Sequence, residues 1–122
     1  MAIPLLICDD SNMARKQVAR SLPEGWDVDI TFATNGVEGL SAIREGKGEM
    51  VFLDLTMPEM DGYGVLEHVF NEGLNAMIVV ISGDIQPEAR DRVMKMGAID
   101  FIKKPVSKEK LGSVLHEYGL LN

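Results

Sequence analysis

The chain has 122 residues, 46% of them hydrophobic, and a formal net charge of -7, with 12 Lys and Arg against 19 Asp and Glu. This length predicts one compact domain with a buried core and is too short for two ordinary domains. The acidic balance argues against a nucleic-acid-binding surface, which needs clustered Lys and Arg. No apolar run approaches the roughly 20 residues of a membrane span, and no signal peptide is visible, so the sequence predicts a cytoplasmic protein.

The single cysteine and the two histidines carry no sign of catalysis. One cysteine, Cys8, excludes an internal disulfide and fits a reducing compartment. It lies within an apolar run, where we expect an inert core thiol. His68 and His116 fall on predicted helices and away from strand ends, so we expect surface or packing roles for both.

The first half of the chain predicts two strand–helix units. A strand over about residues 3–8 precedes a helix that Asp10 or Ser11 begins and that runs to Ser21. Residues 27–33 alternate apolar and polar side chains, as in an edge strand that is exposed on one face. Asn35 and Gly36 form a turn and cap before a second helix, which ends near Gly46.

The second half repeats the pattern. Strands are predicted over residues 50–53, about 77–81 and 100–103, and helices over 62–72, from Pro87 to about 97, and from Ser107 to Tyr118. Strand and helix alternate five times without a repeat, linker or low-complexity tract. This alternation predicts a single α/β domain over residues 1–122, with a five-stranded parallel sheet covered by helices on both faces.

Polar side chains follow four of the predicted strands. Asp9 and Asp10 follow the first strand, Asp54 the third, Ser82 the fourth and Lys104 the fifth. Ligands of open α/β sheets bind beyond the carboxyl ends of the strands. A carboxylate cluster, a hydroxyl and an ammonium at that edge predict a site for a divalent cation and a phosphoryl group.

The chemistry of these groups supports that prediction. Crowded carboxylates repel one another unless a cation intervenes, and hard oxygen ligands select Mg²⁺ or Mn²⁺. Asp54 needs no base to attack an activated phosphorus, provided that Lys104 and the metal neutralise charge on the transferring group. Ser82 has room to offer its hydroxyl to a phosphoryl oxygen. Each feature alone also fits a plain structural role: a helix cap, a turn or a surface lysine.

Five motifs follow one another along the chain: Asp9-Asp10-Ser11, Asn35-Gly36-Val37-Glu38, Asp54-Leu55-Thr56-Met57-Pro58-Glu59-Met60-Asp61-Gly62, Ser82-Gly83 and the segment from Gly97 to Pro105. In this order, they resemble the motifs of the bacterial response-regulator receiver domain, in a layout similar to the single-domain chemotaxis response regulator. This resemblance implies a doubly wound, flavodoxin-like fold with strand order 2-1-3-4-5. It further implies that Asp54 is the phosphoacceptor and that the donor is a phosphohistidine on a sensor histidine kinase.

The resemblance also implies the roles of the remaining site residues. Asp10 and Asp54 would ligate Mg²⁺ through their side chains, Thr56 through its carbonyl oxygen, and Asp9 largely through water. Ser82 and Lys104 would bind phosphoryl oxygens.

The resemblance implies a switch as well. The Lys104–Pro105 bond would be cis, and Phe101 would turn inward as Ser82 moves toward the phosphoryl group.

A few positions depart from the common pattern of the family. Phe101 lacks the hydroxyl of the frequent Tyr, Val106 stands for a frequent Phe, and Gly39 for a frequent Ala. Thr56 and Asp84 occupy positions that tune the phosphoryl lifetime in the family.

The resemblance implies a sensor kinase as a partner. Because the sequence reaches only just past the predicted fifth helix, as would a standalone receiver or a domain of a longer protein, we expect output by docking to another protein: a flagellar-motor switch component, a phosphorelay protein or a dedicated phosphatase. Candidate docking residues on the fourth helix, fifth strand and fifth helix are Arg90, Met94, Phe101, Lys103 and Lys108, each of which also fits a plain solvated surface.

Three other classes of function compete with a phosphorylation switch. A binding module without phosphorylation is disfavoured by the intact set of acids. A Mg²⁺-dependent phosphatase with an aspartyl intermediate needs a second Asp two residues after its nucleophile, and Thr56 stands there. A flavin carrier needs a phosphate-binding loop after the first strand, and none follows. We therefore expect no enzyme activity beyond self-catalysed phosphoryl transfer and dephosphorylation.

Overall fold

Strands and helices alternate along the whole chain in the computed structural model, which describes residues 2–83 and 86–120. The elements are β1 Ile3–Cys8, α1 Asn12–Arg20, β2 Val28–Ala33, α2 Gly36–Arg44, β3 Met50–Leu53, α3 Gly62–Glu72, β4 Met77–Ser82, α4 Pro87–Lys95, β5 Asp100–Lys103 and α5 Lys108–Glu117. The predicted elements are confirmed, with ends that differ by a few residues at most. Asp84, which the resemblance linked to phosphoryl lifetime, lies outside the described residues.

The five strands form one parallel sheet in the order β2-β1-β3-β4-β5, as the resemblance implies. The register aligns the carboxyl ends of the central strands. Cys8 at the end of β1 pairs with Leu53 at the end of β3, and Leu53 pairs with Val80 in β4. The residues that follow β1 and β3 therefore lie side by side at one edge of the sheet.

Two apolar layers hold the helices against the two faces of the sheet. The three central strands consist almost entirely of buried apolar residues, because both of their faces are covered. Alternate residues contribute to opposite layers: Leu6 and Leu53 pack under α2, α3 and α4, while Leu5 and Phe52 pack under α1 and α5. The same continuous apolar runs that predict buried parallel strands thus form the core.

Polar side chains begin four of the five helices, and the cap signals predict three of them, all but Asp61. Each accepts a hydrogen bond from a backbone N–H in the first turn, which satisfies a donor that has no partner inside the helix. The caps are Ser11, Asn35, Asp61 and Ser107. For α1 the structure selects Ser11 rather than Asp10, so the carboxylate of Asp10 is not used as the cap.

The edge strand β2 differs from its predicted pattern. The alternation of Val28, Ile30 and Phe32 predicts an apolar face turned inward, yet Phe32 is 50% exposed and Ile30 36%. β2 pairs with β1 only and lies at the border of the sheet. The layer of α1 and α5 therefore covers its apolar face only in part.

No helix among residues 2–83 and 86–120 has the length and apolar character needed to cross a membrane.

Candidate functional site

Three carboxylates meet at the carboxyl edge of the sheet. One oxygen atom from each of Asp9, Asp10 and Asp54 lies within 4.8 Å of the others. Asp9 and Asp54 are buried, whereas Asp10 is exposed. The cluster predicted from the ends of the first and third strands is therefore present, and it is open to solvent on one side.

The backbone fixes the two buried aspartates because the sheet hydrogen bonding continues one residue past the strands. The backbone N–H of Asp54 donates to the carbonyl of Cys8 at 2.9 Å, and that of Asp9 donates to Ala33 at 3.1 Å. The backbone N–H of Ser11 donates to Oδ1 of Asp9 at 2.9 Å. Strand pairing and the start of α1 thus orient the carboxylates together.

Lys104 reaches from the end of β5 to both buried carboxylates. Its Nζ donates to Oδ2 of Asp9 at 3.0 Å and lies 3.4 Å from Oδ1 of Asp54. Its backbone N–H donates to the carbonyl of Ser82 at 2.8 Å, which ties the loop to β4. The peptide bond from Lys104 to Pro105 is cis, as the resemblance implies. The ammonium therefore occupies the space between two negative charges.

Burial and neighbouring charge act on the ionisation of this cluster. Burial raises the pKa of Asp54 above its ordinary value, the charge of Asp9 adds to the rise, and Lys104 opposes it. Burial alone would lower the pKa of Lys104. Its hydrogen bond to Asp9 and the charges of Asp54 and Asp9 have the larger combined effect, so the pKa is raised. Lys104 therefore stays charged, and a further positive charge at the site would be stabilised by the carboxylates.

A tight loop after β3 presents Asp54 and Thr56. The backbone N–H of Gly62 donates to the carbonyl of Leu55 at 3.0 Å. A Cβ on Gly62 would collide with the carbonyl oxygen of Asp54, so only glycine lets the loop close at this point. Thr56 lies in this loop, exposed and two residues after Asp54.

Ser82 and Phe101 lie on neighbouring strands beside the cluster. Ser82 ends β4, is buried, and pairs in register with Lys103. Phe101 is partly buried against the apolar layer under α4. Its carbonyl accepts a long hydrogen bond of 3.5 Å from Arg90, whose guanidinium also lies 3.7 Å from Asp100.

One contact of the site, made by Arg15, is not predicted by the sequence. Nη1 of Arg15 donates to the carbonyl of Asp9 at 2.7 Å, and Nη2 donates to Oδ1 of Asn12 at 3.3 Å. The guanidinium thereby braces the turn that carries Asp9 and Asp10. The sequence places Arg15 in the first turn of α1, after the Ser11 cap. That position alone does not predict a hydrogen bond from its guanidinium to a backbone carbonyl.

Cys8 is an inert core thiol, as predicted. Its Sγ lies 3.6 Å from Sδ of Met57 and 3.4 Å from the carbonyl oxygen of Asn35. Burial raises the pKa of the thiol to about 12, and the charges of Asp9 and Asp54 contribute to the rise. At neutral pH it is therefore not a nucleophile.

The residues present fit a hard divalent cation. Two buried carboxylates and an exposed one supply oxygen donors that lie within 4.8 Å of one another. Magnesium binds few carboxylates, keeps water and shares phosphate oxygens, so it needs the open side that Asp10 provides. No nitrogen or sulfur ligand joins the cluster among residues 2–83 and 86–120, which disfavours zinc.

Curated relatives match most of this chain. The chain is 35% identical over 111 residues to a chemotaxis protein CheY of Treponema pallidum, covering 88% of this chain and 76% of that protein. It is 33% identical over 122 residues to the rice two-component response regulator ORR41, covering 97% and 95%. A protein-glutamate methylesterase/protein-glutamine glutaminase of Geobacter sulfurreducens is 36% identical over 113 residues, covering 89% and 30%. The chain spans about a third of the length of such methylesterases.

Solved structures share the fold. A chain of the CheX–CheY–BeF3–Mg²⁺ complex from Borrelia burgdorferi aligns with a TM-score of 0.83 at 29% identity, covering 93% of this chain and 87% of that one. The receiver domain of the response regulator NarL from Mycobacterium tuberculosis aligns with a TM-score of 0.86 at 23% identity, covering 99% and 98%.

The family profile of the response regulator receiver domain matches residues 5–116. This span includes the acidic cluster, the loop after β3 and the lysine at the end of β5. Receiver domains bind Mg²⁺ at an acidic pocket of this kind and take part in two-component signalling. The sequence match, the strand order and the relatives agree, and the chain belongs to the response regulator receiver domain family.

Proposed function

We propose that this receiver domain is a phosphorylation-activated switch in which Asp54 accepts a phosphoryl group from a phosphohistidine on a sensor histidine kinase. The observation that carries the proposal is the position of Lys104, whose Nζ lies 3.0 Å from Asp9 and 3.4 Å from Asp54. An ammonium held against a nucleophilic carboxylate stands where charge on a transferring phosphoryl group must be neutralised.

Magnesium is the proposed cofactor, and Mn²⁺ a possible substitute. Asp10 and Asp54 would hold it by their side chains, Thr56 by its carbonyl oxygen and Asp9 through water. When bound, the cation withdraws negative charge from the phosphoryl oxygens. Asp9 and Asp54 are buried with one lysine between them, so the cluster has one positive charge against three carboxylates and favours a divalent cation.

The transfer itself is a direct displacement by Asp54. A carboxylate oxygen of Asp54 forms a bond to phosphorus, the P–N bond to the donor imidazole breaks, and its electron pair remains on that imidazole nitrogen. The ammonium of Lys104 then contacts a phosphoryl oxygen in place of the Asp54 carboxylate, and the Ser82 hydroxyl donates to another phosphoryl oxygen. Thr56 stands where an aspartyl phosphatase has its general acid, so we propose no further hydrolytic activity toward small esters.

Ser82 and Phe101 would carry the signal from the phosphoryl group to the surface. Ser82 pairs with Lys103 at the end of β5, and Phe101 lies partly buried two residues earlier on that strand. A shift of Ser82 toward the phosphoryl group frees space for the ring. The resulting output surface would be formed by α4, β5 and α5, with Arg90, Met94, Phe101, Lys103 and Lys108 as its candidate docking residues.

Phosphorylation with acetyl phosphate tests the proposal directly. Intact-mass measurement of protein incubated with acetyl phosphate and Mg²⁺ should show the addition of one phosphoryl group, lost in EDTA and in Asp54→Asn. Asp29→Asn is the matched control, because Asp29 is an exposed carboxylate on the edge strand. Phosphoryl incorporation that persists in Asp54→Asn would contradict the assignment.

The pathway that we propose is chemotaxis, with a flagellar-motor switch component as the downstream protein. The similarity to the CheY protein of Treponema pallidum, which covers 88% of this chain, supports it. The alternative is a phosphorelay intermediate or the target of a dedicated phosphatase. A pull-down that compares beryllofluoride-treated with untreated protein discriminates them: capture of a motor switch protein supports chemotaxis, and capture of a histidine phosphotransfer protein supports the relay.

A further inference from the structure

A groove lies between the C-terminal halves of α3 and α4, at the edge of the sheet opposite the acidic cluster, and polar atoms contribute about half of its exposed surface. The helices run antiparallel to the strands, which brings their ends near Gly73 and Met96 to this edge. The hollow has a volume of about 300 Å³ and is lined mainly by apolar side chains: Leu66, Val69, Phe70, Leu74, Ile78 and Met96. A cavity of about 150 Å³ already accepts a benzene ring, so the groove has room for an aromatic side chain.

Phe70 stands beside this groove as an exposed apolar knob. Its side chain is 74% exposed, although it follows the buried Val69 on the same helix. Phe70 and Met96 also line a second hollow of about 190 Å³ on the other side, together with Glu67, Asn71 and Lys95. A protruding ring and a hollow that admits a ring therefore lie next to each other on one surface.

The charges beside the second hollow are opposite in sign. Glu67 lies on α3 and Lys95 on α4, and within residues 2–83 and 86–120 neither forms a salt bridge. The next acid along α3, Glu72, is already paired with Arg44. The chain carries a net charge of -7, which opposes random contact between copies, but this patch is locally neutral.

We propose that this groove is a self-association surface occupied by a second copy of the chain. In a two-fold arrangement, Phe70 of each copy enters the groove of the other, and Glu67 of each faces Lys95 of the other. A two-fold interface requires a patch that is complementary to itself. A protruding ring next to a hollow, with one acid on α3 and one base on α4, meets that requirement.

The proposed interface leaves the acidic cluster accessible and is weak. It does not depend on the proposed function, because it lies at the edge of the sheet away from Asp54. A groove and one ring per copy bury well under the roughly 800 Å² per partner of a stable interface. We therefore expect weak association that is detectable only at high protein concentration.

Sedimentation velocity over roughly 10 µM to 1 mM protein tests the proposal. The weight-average sedimentation coefficient of the wild type should rise from monomer toward dimer over this range. Phe70→Glu and Glu67→Lys should remain monomeric, since the first removes the knob and the second sets Lys against Lys95. Val37→Glu is the matched control: Val37 is 51% exposed on α2, outside the groove, and its change should leave association intact.

A charge exchange gives the decisive result. Lys95→Glu alone should also remain monomeric, since it sets Glu against Glu67. The double variant Glu67→Lys/Lys95→Glu should regain the association that each single variant loses, because it restores opposite charges across the interface. Circular dichroism should show native helix content in every variant, since all these side chains are exposed. A wild type that stays monomeric at 1 mM, a Phe70→Glu variant that still associates, or a double variant that stays monomeric would each overturn the proposal. The Asp54→Asn variant should associate like the wild type, which separates this result from that of the phosphorylation assay.

Discussion

Cys8 and Gly39 share one volume between β1 and α2. A Cβ added at Gly39 would lie 2.7 Å from Sγ of Cys8, closer than side-chain atoms approach. The sulfur is itself held by Met57 and by the carbonyl of Asn35. Glycine therefore fits at this position because the thiol fills the space that a methyl group would take.

The substitution Gly39→Ala should destabilise the protein. Forcing a methyl group into a filled core costs about 1–3 kcal/mol, more than the gain in helix propensity of about 1 kcal/mol for replacing glycine by alanine. Urea unfolding measures the change. In the Cys8→Ala background the sulfur is absent, so Gly39→Ala should there be neutral or stabilising. Equal effects of Gly39→Ala in both backgrounds would show that the two residues are not coupled.

Replacing Lys104 should slow phosphorylation far more than replacing its neighbour. Lys104→Ala removes the ammonium that contacts Asp9 and Asp54. Loss of one such charge-stabilising group typically reduces the rate by about 10²-fold or more. Lys103→Ala is the matched control, because Lys103 is an exposed lysine next in sequence. Initial rates with acetyl phosphate and Mg²⁺ measure both, and equal rates in the two variants would contradict the role of Lys104.

Neutralising Asp54 should stabilise the metal-free protein. Burial and the charge of Asp9 raise the pKa of Asp54, so its ionised form is disfavoured in the folded state. That penalty is present at pH above the folded-state pKa and vanishes below the unfolded-state value of about 3.9. In EDTA at pH 7, Asp54→Asn should therefore melt at a higher temperature than the wild type, with Asp29→Asn unchanged. A lower melting temperature would show that other interactions of the carboxylate prevail.

With Mg²⁺ present, the wild type should melt at a higher temperature than Asp54→Asn. A ligand at 100 times its dissociation constant stabilises the folded state by about 2.7 kcal/mol, provided that the unfolded chain does not bind it. Asp54→Asn loses one ligand and should show little of this gain. Thermal melts of both proteins across a Mg²⁺ titration measure the difference. Equal stabilisation of the two would mean that Asp54 does not ligate the metal.

An ion pair between α2 and α3 should make stability depend on pH in the acid range. Nε of Arg44 donates to Glu72 at 2.8 Å, and His68 contacts the same carboxylate. The hydrogen bond from Arg44, followed by that from His68, lowers the pKa of Glu72 to about 2. A lowered pKa stabilises the fold fully above the unfolded-state value of about 4.3, and the contribution disappears as the pH falls toward 2.

The variant Glu72→Gln tests this linkage. It should unfold at lower urea concentration than the wild type at pH 6, and the difference should shrink steadily between pH 5 and pH 2. Glu67→Gln is the matched control, since Glu67 lies on the same helix without that contact. In Arg44→Ala the effect of Glu72→Gln should be smaller. A difference that does not change with pH would exclude the ion pair as its source.

Much of the fold follows from local patterns. The bounds of α3, Gly62–Glu72, agree with the prediction because Asp61 caps its start and Gly73 ends it with a φ of 65°. β1 and β3 are apolar throughout because both of their faces are covered. For the edge strand β2 the local pattern is not sufficient. Its alternation shows which side chains share a face, but how much of that face is buried depends on how far α1 extends over it.

The sequence alone determined that Asp9, Asp10 and Asp54 meet, because parallel strands place their carboxyl ends at one edge whatever the details of packing. Only the tertiary structure decided that Lys104 lies between Asp9 and Asp54, that Arg15 braces the turn beside them, and that Phe70 stands next to a groove. Those contacts join residues far apart in the chain or depend on side-chain direction. They are fixed when helices and loops pack against the sheet, and local periodicity carries no information on that step.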